Sequence, residues 1–193
     1  MRSTTRLLSA ITDQQIDLND FANNDGYLFV RDGVGVAGQG IAKRVGREEI
    51  IATLSAIDDD NRSGIDEAGP IAIGCIPFDS SSPHDFVIPK VVVGKTTDGQ
   101  IWVTTIDDAE LNFHAPDEIQ PFAASFMVNP GVPVDHYLEA VRLTAQAVRE
   151  KKIDKAVIAR DIFVMTNLPF DVRAILQRLK ASFGSSYRYL FDG

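Results

Sequence analysis

The residue with the clearest chemical potential in this sequence is Lys155, in the segment 154–160 (Asp-Lys-Ala-Val-Ile-Ala-Arg). Alternation along a strand divides these side chains between two faces, Lys155 with Val157 and Ala159 on one and Ala156, Ile158 and Arg160 on the other. Each face then holds a cation beside apolar neighbours. Such a lysine is either a strand-end charge that reaches solvent or a partly desolvated amine that acts as a general base. Spacing alone favours the first, because most lysines are exposed.

A glycine-rich stretch offers a second candidate site. Residues 33–38 (Gly-Val-Gly-Val-Ala-Gly) follow an apolar strand and match the G-x-G-x-x-G pattern of dinucleotide-binding turns. That pattern requires a helix next, but glycines at 40 and 46 interrupt the following residues. Asp32-Gly33 is instead a common hairpin turn. The sequence therefore favours a hairpin, and a dinucleotide-binding protein is the last of the alternatives.

The remaining polar clusters do not form convincing metal sites. His84, His114 and His136 lack metal-ligand spacing, and we expect His136 to face solvent at the start of a helix. The acidic residues 58–64 resemble a calcium loop only faintly and are better interpreted as a solvated turn. Cys75 lies in an apolar run and is expected in the core. As the single cysteine, it excludes an internal disulfide.

The elements that must position these residues alternate between strands and helices. The first 24 residues show only weak helical spacing, and 107–133 is interpreted as a long surface connection that could be mobile. Apolar spacing predicts helices at 48–57, 134–152 and 172–183. Strands are expected at 27–30 with a return strand from 34, and at 70–79, 86–93, 100–105, 155–165 and 187–191.

Composition limits the function classes. The 193 residues, 45% apolar and 24% charged, suit one packed α/β domain. A net charge of −8 argues against a nucleic-acid binder. No apolar run approaches the roughly 20 residues of a membrane span, and Asp13 comes too early for a secretory core. We expect a cytoplasmic protein that binds neither nucleic acid nor membrane.

The end of the sequence resembles half of a hairpin. The final strand is followed by Asp192-Gly193, a turn with no returning strand. An unpaired strand edge is a liability. We therefore expect these 193 residues to be part of a longer protein.

Two separate stretches resemble chorismate-utilising enzymes. Residues 153–160 (Ile-Asp-Lys-Ala-Val-Ile-Ala-Arg) are similar to the L-x-K-V-V-L-A-R strand of that family. Residues 73–79 (Ile-Gly-Cys-Ile-Pro-Phe-Asp) resemble the G-A-L-P-F-D segment of isochorismate synthases in particular. The surroundings of both stretches agree over about 70–93 and 130–193. The two matches occur in the family's order.

The resemblance implies a fold of the anthranilate synthase component I type, with stacked, largely antiparallel sheets flanked by helices. These residues would be the N-terminal half of a single domain that is a monomer when complete. The implied reaction is the Mg²⁺-dependent conversion of chorismate to isochorismate for menaquinone or siderophore biosynthesis. Lys155 inherits the role of activating water for attack at ring carbon C2. The general acid, in a G-A-S-P-E segment, and the metal-binding glutamates are expected beyond Gly193, so we expect the 193-residue segment alone to be inactive.

Two alternatives stay open ahead of the dinucleotide-binding protein. A salicylate synthase of the same family would continue from isochorismate and eliminate pyruvate. A non-catalytic binding or assembly domain would keep the fold without the site.

Overall fold

A computed structural model describes residues 1–79, 85–112 and 125–191. The described part of the chain contains these strands: β1 (Arg2–Leu7), β2 (Tyr27–Arg31), β3 (Val34–Gln39), β4 (Lys43–Val45), β5 (Asp58–Asn61), β6 (Ile73–Cys75), β7 (Asp85–Ile88), β8 (Val91–Lys95), β9 (Ile101–Ile106), β10 (Phe126–Pro130), β11 (Ile162–Thr166) and β12 (Arg188–Leu190). The helices are α1 (Leu18–Ala22), α2 (Ile50–Ser55), α3 (Val134–Arg149) and α4 (Val172–Ser182). None of the helices in these ranges is long and apolar enough to cross a membrane.

The chain divides into two compact units. The larger unit contains the described residues up to 112 together with 171–191, and the smaller one contains 125–170.

The larger unit is built on a seven-stranded sheet in the order β12-β2-β3-β8-β9-β1-β5. Neighbouring strands are antiparallel except β1 and β5, which are parallel. The β2–β3 turn has positive φ at Asp32 (51°) and Gly33 (77°), as a two-residue hairpin turn requires. The hairpin prediction is confirmed, and the glycine-rich stretch lies in and after this turn rather than before a helix.

Helices α1 and α4 contribute apolar side chains to the largest core cluster of this unit. Leu18 and Phe21 of α1 and Leu176 of α4 join Leu28 and Val93 of the sheet there. Burying one such aliphatic side chain contributes about 1.5–3 kcal/mol. Helix α4 begins where the sequence predicts, because the Asp171 carboxylate accepts a hydrogen bond from the Ala174 amide, 3.0 Å away.

A second, three-stranded sheet has the order β4-β7-β6 and is antiparallel. The expected single strand 86–93 is wrong: β7 belongs to this sheet and β8 to the seven-stranded one. Pro89 and Lys90 separate them, and proline cannot donate to a strand ladder. The predicted strand 70–79 is reduced to β6, and Cys75 at its end is exposed rather than in the core.

Three further stretches differ from the predictions. The N-terminus forms β1 rather than a weak helix, and part of the expected acidic turn forms the edge strand β5. Phe126–Pro130, inside the predicted irregular connection 107–133, forms β10. Within that connection, 113–124 lies outside the described residues.

The smaller unit consists of helix α3 and the antiparallel pair β10–β11. The pair is extended beyond Ile162 by a hydrogen bond of 3.0 Å from the Gly131 amide to the Asp161 carbonyl. Helix α3 confirms the predicted amphipathic helix, with Asp135 in its first turn and Arg149 in its last, as the helix dipole favours. The described residues thus form an α/β fold with largely antiparallel sheets, as expected.

Candidate functional site

Lys155 lies in an extended segment that follows helix α3. The helix ends at a turn in which Lys151 has a φ of 55° and the Lys152 amide donates to the Ala147 carbonyl at 2.9 Å. Residues 155–161 then contain no helix or strand. The prediction of a strand over 155–165 is therefore wrong for its first half, since only Ile162–Thr166 pairs with another strand.

The segment nevertheless has two distinct sides. Ala156 and Ile158 line a groove together with residues of one face of α3: Tyr137, Val141, Thr144, Ala145 and Val148. Lys155 and Val157 are exposed, and Val157 keeps 83% of its surface accessible. The alternation that the sequence indicates is therefore present without a strand ladder.

A cation–π contact joins the far end of the segment to the start of α3. The guanidinium carbon of Arg160 lies 5.5 Å from the centre of the Tyr137 ring. This distance is within the range of a favourable cation–π interaction. Because Arg160 is two residues beyond Ile158, it continues the side of the segment that lines the groove.

Neither Tyr137 nor the contact of Arg160 with its ring was expected from the sequence. The sequence does contain a signal for Arg160, because alternation places its side chain on the same side of the segment as Ala156 and Ile158. Tyr137 could not be found in this way, since its contact joins residues 23 positions apart in the sequence, 160 − 137.

The other candidates do not gather around Lys155 as far as the structure describes them. His136 is exposed in the first turn of α3, as expected, while His84 and His114 lie outside the described residues. Asp60, in the acidic stretch, pairs with Arg62, whose hydrogen bond lowers the pKa of that carboxyl. No group of three or more histidine, cysteine or acidic residues in the described ranges could hold a metal ion.

One perturbed group in the larger unit has no counterpart in the sequence analysis. The Tyr189 hydroxyl donates a hydrogen bond of 2.9 Å to the Gly74 carbonyl. Partial burial of the phenol, in a residue that keeps 42% of its surface accessible, is the largest cause that raises the pKa of Tyr189 to about 12, and the neighbouring Cys75 side chain acts in the same direction. A phenol in this state is a donor rather than a base at neutral pH.

Comparison with known proteins is consistent with the resemblance to chorismate-utilising enzymes. The chain is 24% identical over 149 residues to the isochorismate synthase MenF of Bacillus subtilis (strain 168). This match covers 64% of the chain and 32% of the relative's length. No solved structure matches the chain.

The family comparison covers most of the chain, including Lys155. The sequence profile described as "Chorismate binding enzyme" matches residues 67–193. This range is well over half of the 193 residues and includes the whole smaller unit, 125–170. The chain therefore belongs to the chorismate binding enzyme family.

Proposed function

We propose that the full-length protein is an isochorismate synthase in which Lys155 activates the attacking water. The observation that carries the proposal is the position of Lys155 in the family-matched region, where it is exposed and lies next to Ala156, a residue of the groove along α3. The name of the Bacillus subtilis relative supports this choice within the family. Because the chain spans about a third of that relative's length, the activity is proposed for the whole protein.

The reaction needs two proton transfers and no net change in composition. A base removes a proton from water as its oxygen attacks C2 of the chorismate ring. A general acid protonates the hydroxyl that leaves C4, so one water enters and one departs. Lys155 is the proposed base, and its amine must be neutral when it accepts the proton. Burial by substrate or a neighbouring cation would favour that form.

The partners of Lys155 in this reaction are proposed to come from residues after Gly193. They include the general acid, the carboxylates for Mg²⁺ and the group that binds the substrate carboxylate. Mg²⁺ would supply positive charge to the dianionic substrate. The described residues do not fit a magnesium site, so no step is assigned to the metal here.

The corresponding whole protein would have the anthranilate synthase component I type of fold as a cytoplasmic monomer. Its product would serve menaquinone or siderophore formation. Size-exclusion chromatography with light scattering measures the oligomeric state. Activity measured after removal of Mg²⁺ with EDTA, and again after Mg²⁺ is added back, tests the metal dependence.

The proposal is tested by following chorismate consumption and product formation by chromatography with the full-length protein. We expect isochorismate as product and a loss of about 10²-fold or more in kcat for Lys155→Ala, as for removal of a general base. Lys152→Ala is the matched control, because Lys152 is an exposed lysine three positions away that forms a surface ion pair with Glu150. It should keep wild-type activity.

Other results would replace the proposal. Salicylate and pyruvate as products would assign the protein to the salicylate synthases. Chorismate binding without turnover would favour a non-catalytic domain. A wild-type rate in Lys155→Ala would show that Lys155 does not take part in the reaction.

A further inference from the structure

The strand pair β10–β11 carries apolar side chains on both of its faces. The register places Met127 opposite Met165 and Val128 opposite Val164, and residues directly opposite each other share a face of the sheet. Alternation then places two sets of side chains on opposite faces: Val128, Ile162 and Val164 on one, and Met127, Phe163 and Met165 on the other. All of these side chains are exposed, and Met127 and Val128 each keep 59% of their surface accessible.

A strand pair with this surface needs a cover on both faces. A two-stranded sheet is marginally stable in water unless further strands or a helix pack against it, and within the described residues this sheet consists of β10 and β11. Single exposed apolar residues are normal, but a contiguous exposed set marks an interaction surface. The sequence agrees, because consecutive apolar residues at 126–128 and 162–165 are typical of strands that are buried on both faces.

We infer that both faces of β10–β11 are docking surfaces for the remainder of the full-length protein, the part outside residues 1–193. The Bacillus subtilis relative supplies the argument from length: the match covers 32% of it, so a protein of that length has most of its chain outside the matched region. The occupant is a layer of strands or helices with an apolar side on each face of the pair. The inference concerns assembly and does not depend on the proposed reaction.

A second copy of the chain fits these surfaces less well. A two-fold symmetric contact uses the same patch on both protomers, so it would cover one face of the pair and leave the other exposed. The net charge of −8 on these 193 residues also opposes their self-association. A segment of the same polypeptide is covalently linked to the pair and therefore meets it at a high effective concentration.

Photo-cross-linking in the full-length protein identifies what covers each face. The photoreactive residue p-benzoylphenylalanine replaces either Ile162 or Phe163, which are neighbours in β11 but point to opposite faces. The control position is Glu139, a polar residue of α3 that pairs with Arg142 at the surface. After irradiation, peptide mass spectrometry locates the residue attached to the probe. We expect positions 162 and 163 to attach to different peptides, both from outside residues 1–193, and the control to give several-fold less product.

Methionine oxidation tests the same burial in the wild-type protein, without a bulky probe in the sheet. Met127 and Met165 lie opposite each other on one face, and both are exposed in the 193 residues alone. Hydroxyl radicals followed by mass spectrometry measure how fast each one is oxidised. We expect both to react at least about tenfold more slowly in the folded full-length protein than in urea, because a covered side chain reacts only when its segment opens.

Four results would overturn the inference. Cross-links confined to residues 1–193 of one polypeptide would show that these residues cover the faces themselves. Covalent dimers on a denaturing gel would assign the faces to a second copy. Equal product from the Glu139 control would show that the contact is not specific to the apolar faces, and oxidation of Met127 and Met165 at the rate in urea would show that the pair stays uncovered. None of these measurements uses chorismate turnover, so the inference and the proposed function fail or succeed separately.

Discussion

Gly94 lies opposite Trp102 in the antiparallel pair β8–β9, where a Cβ on Gly94 would come within 2.2 Å of two atoms of the indole ring. Trp102 is 5% exposed and packs with Ala68 and Val92 in a buried cluster. The ring therefore occupies the space that any other residue at 94 would need. The close approach explains why a glycine stands in the middle of a central strand, where it otherwise weakens the sheet.

Gly94→Ala should destabilise the larger unit by about 1–3 kcal/mol, because the indole or the backbone must shift to admit the methyl group. Urea unfolding followed by fluorescence of Trp102, the single tryptophan of the sequence, measures this directly. Gly46→Ala is the control, since its Cβ would have nothing closer than 3.7 Å and its φ is −72°. Equal stability of the two variants would contradict the steric argument.

A buried hydroxyl pair joins β1 to β9. Thr5 and Thr104 are directly opposite in the strand register, both are fully buried, and their hydroxyl oxygens are 2.7 Å apart. Thr5→Val alone should cost about 1–2 kcal/mol, because the Thr104 hydroxyl loses its partner without gaining water.

The double variant Thr5→Val/Thr104→Val should be more stable than the sum of the two single changes predicts, by about 1 kcal/mol, since it leaves no unpaired hydroxyl. Valine suits the test because it has nearly the same shape as threonine and the same β-branch. Urea unfolding of the four proteins gives the coupling energy. Strict additivity would show that the two hydroxyls do not depend on each other.

The same buried hydroxyls explain why β1 was not predicted. The strand places Ser3 and Thr5 in the interior, both fully buried, so its inward side is polar. Hydrophobic periodicity detects a strand by apolar residues at every second position, and this strand lacks them. By contrast, the β2–β3 hairpin and helices α3 and α4 are marked by local signals: turn chemistry, apolar spacing and the Asp171 cap.

The candidate site, like the fold, could be predicted from the sequence only where the signal is local. Lys155 and the two sides of its segment follow from alternation within a few residues. Alternation does not show that Lys155 lacks a strand partner among the described residues, because strand pairing depends on residues distant in sequence. The contact between Arg160 and Tyr137 is hidden for the same reason.

The ionisation of Asp17 predicts how the stability of the protein depends on pH in the acid range. Burial of its carboxylate opposes ionisation, but hydrogen bonds from Lys180 and from Asn19 outweigh this and hold the pKa of Asp17 below its usual 3.8. A depressed pKa in the folded state contributes stability above the unfolded value, and this contribution is lost as the pH falls through the folded value. Asp17→Asn keeps a good cap for α1 but removes the charge.

We expect Asp17→Asn to lower stability by about 0.5–1 kcal/mol at pH 7, a modest amount because solvent screens the half-exposed pair with Lys180. The difference from wild type should shrink as the pH falls below about 4. Urea unfolding at a series of pH values measures it. A difference that stays constant over this range would indicate a capping effect rather than a charge effect.

Tyr189 provides a prediction for the alkaline range. Burial and the adjacent Cys75 side chain raise the pKa of its phenol to about 12, so in the folded protein it should stay protonated well above pH 10. Absorbance of the tyrosinate form at 295 nm follows this ionisation. Subtracting the titration of Tyr189→Phe from that of wild type isolates one phenol, whose midpoint should lie near pH 12. Cys75→Ala should move that midpoint downward, because the electrostatic influence and the hydrogen bond of the Cys75 side chain both raise the pKa of Tyr189. A difference curve centred at pH 10 would show that the phenol is solvated and that its hydrogen bond to Gly74 does not persist in solution.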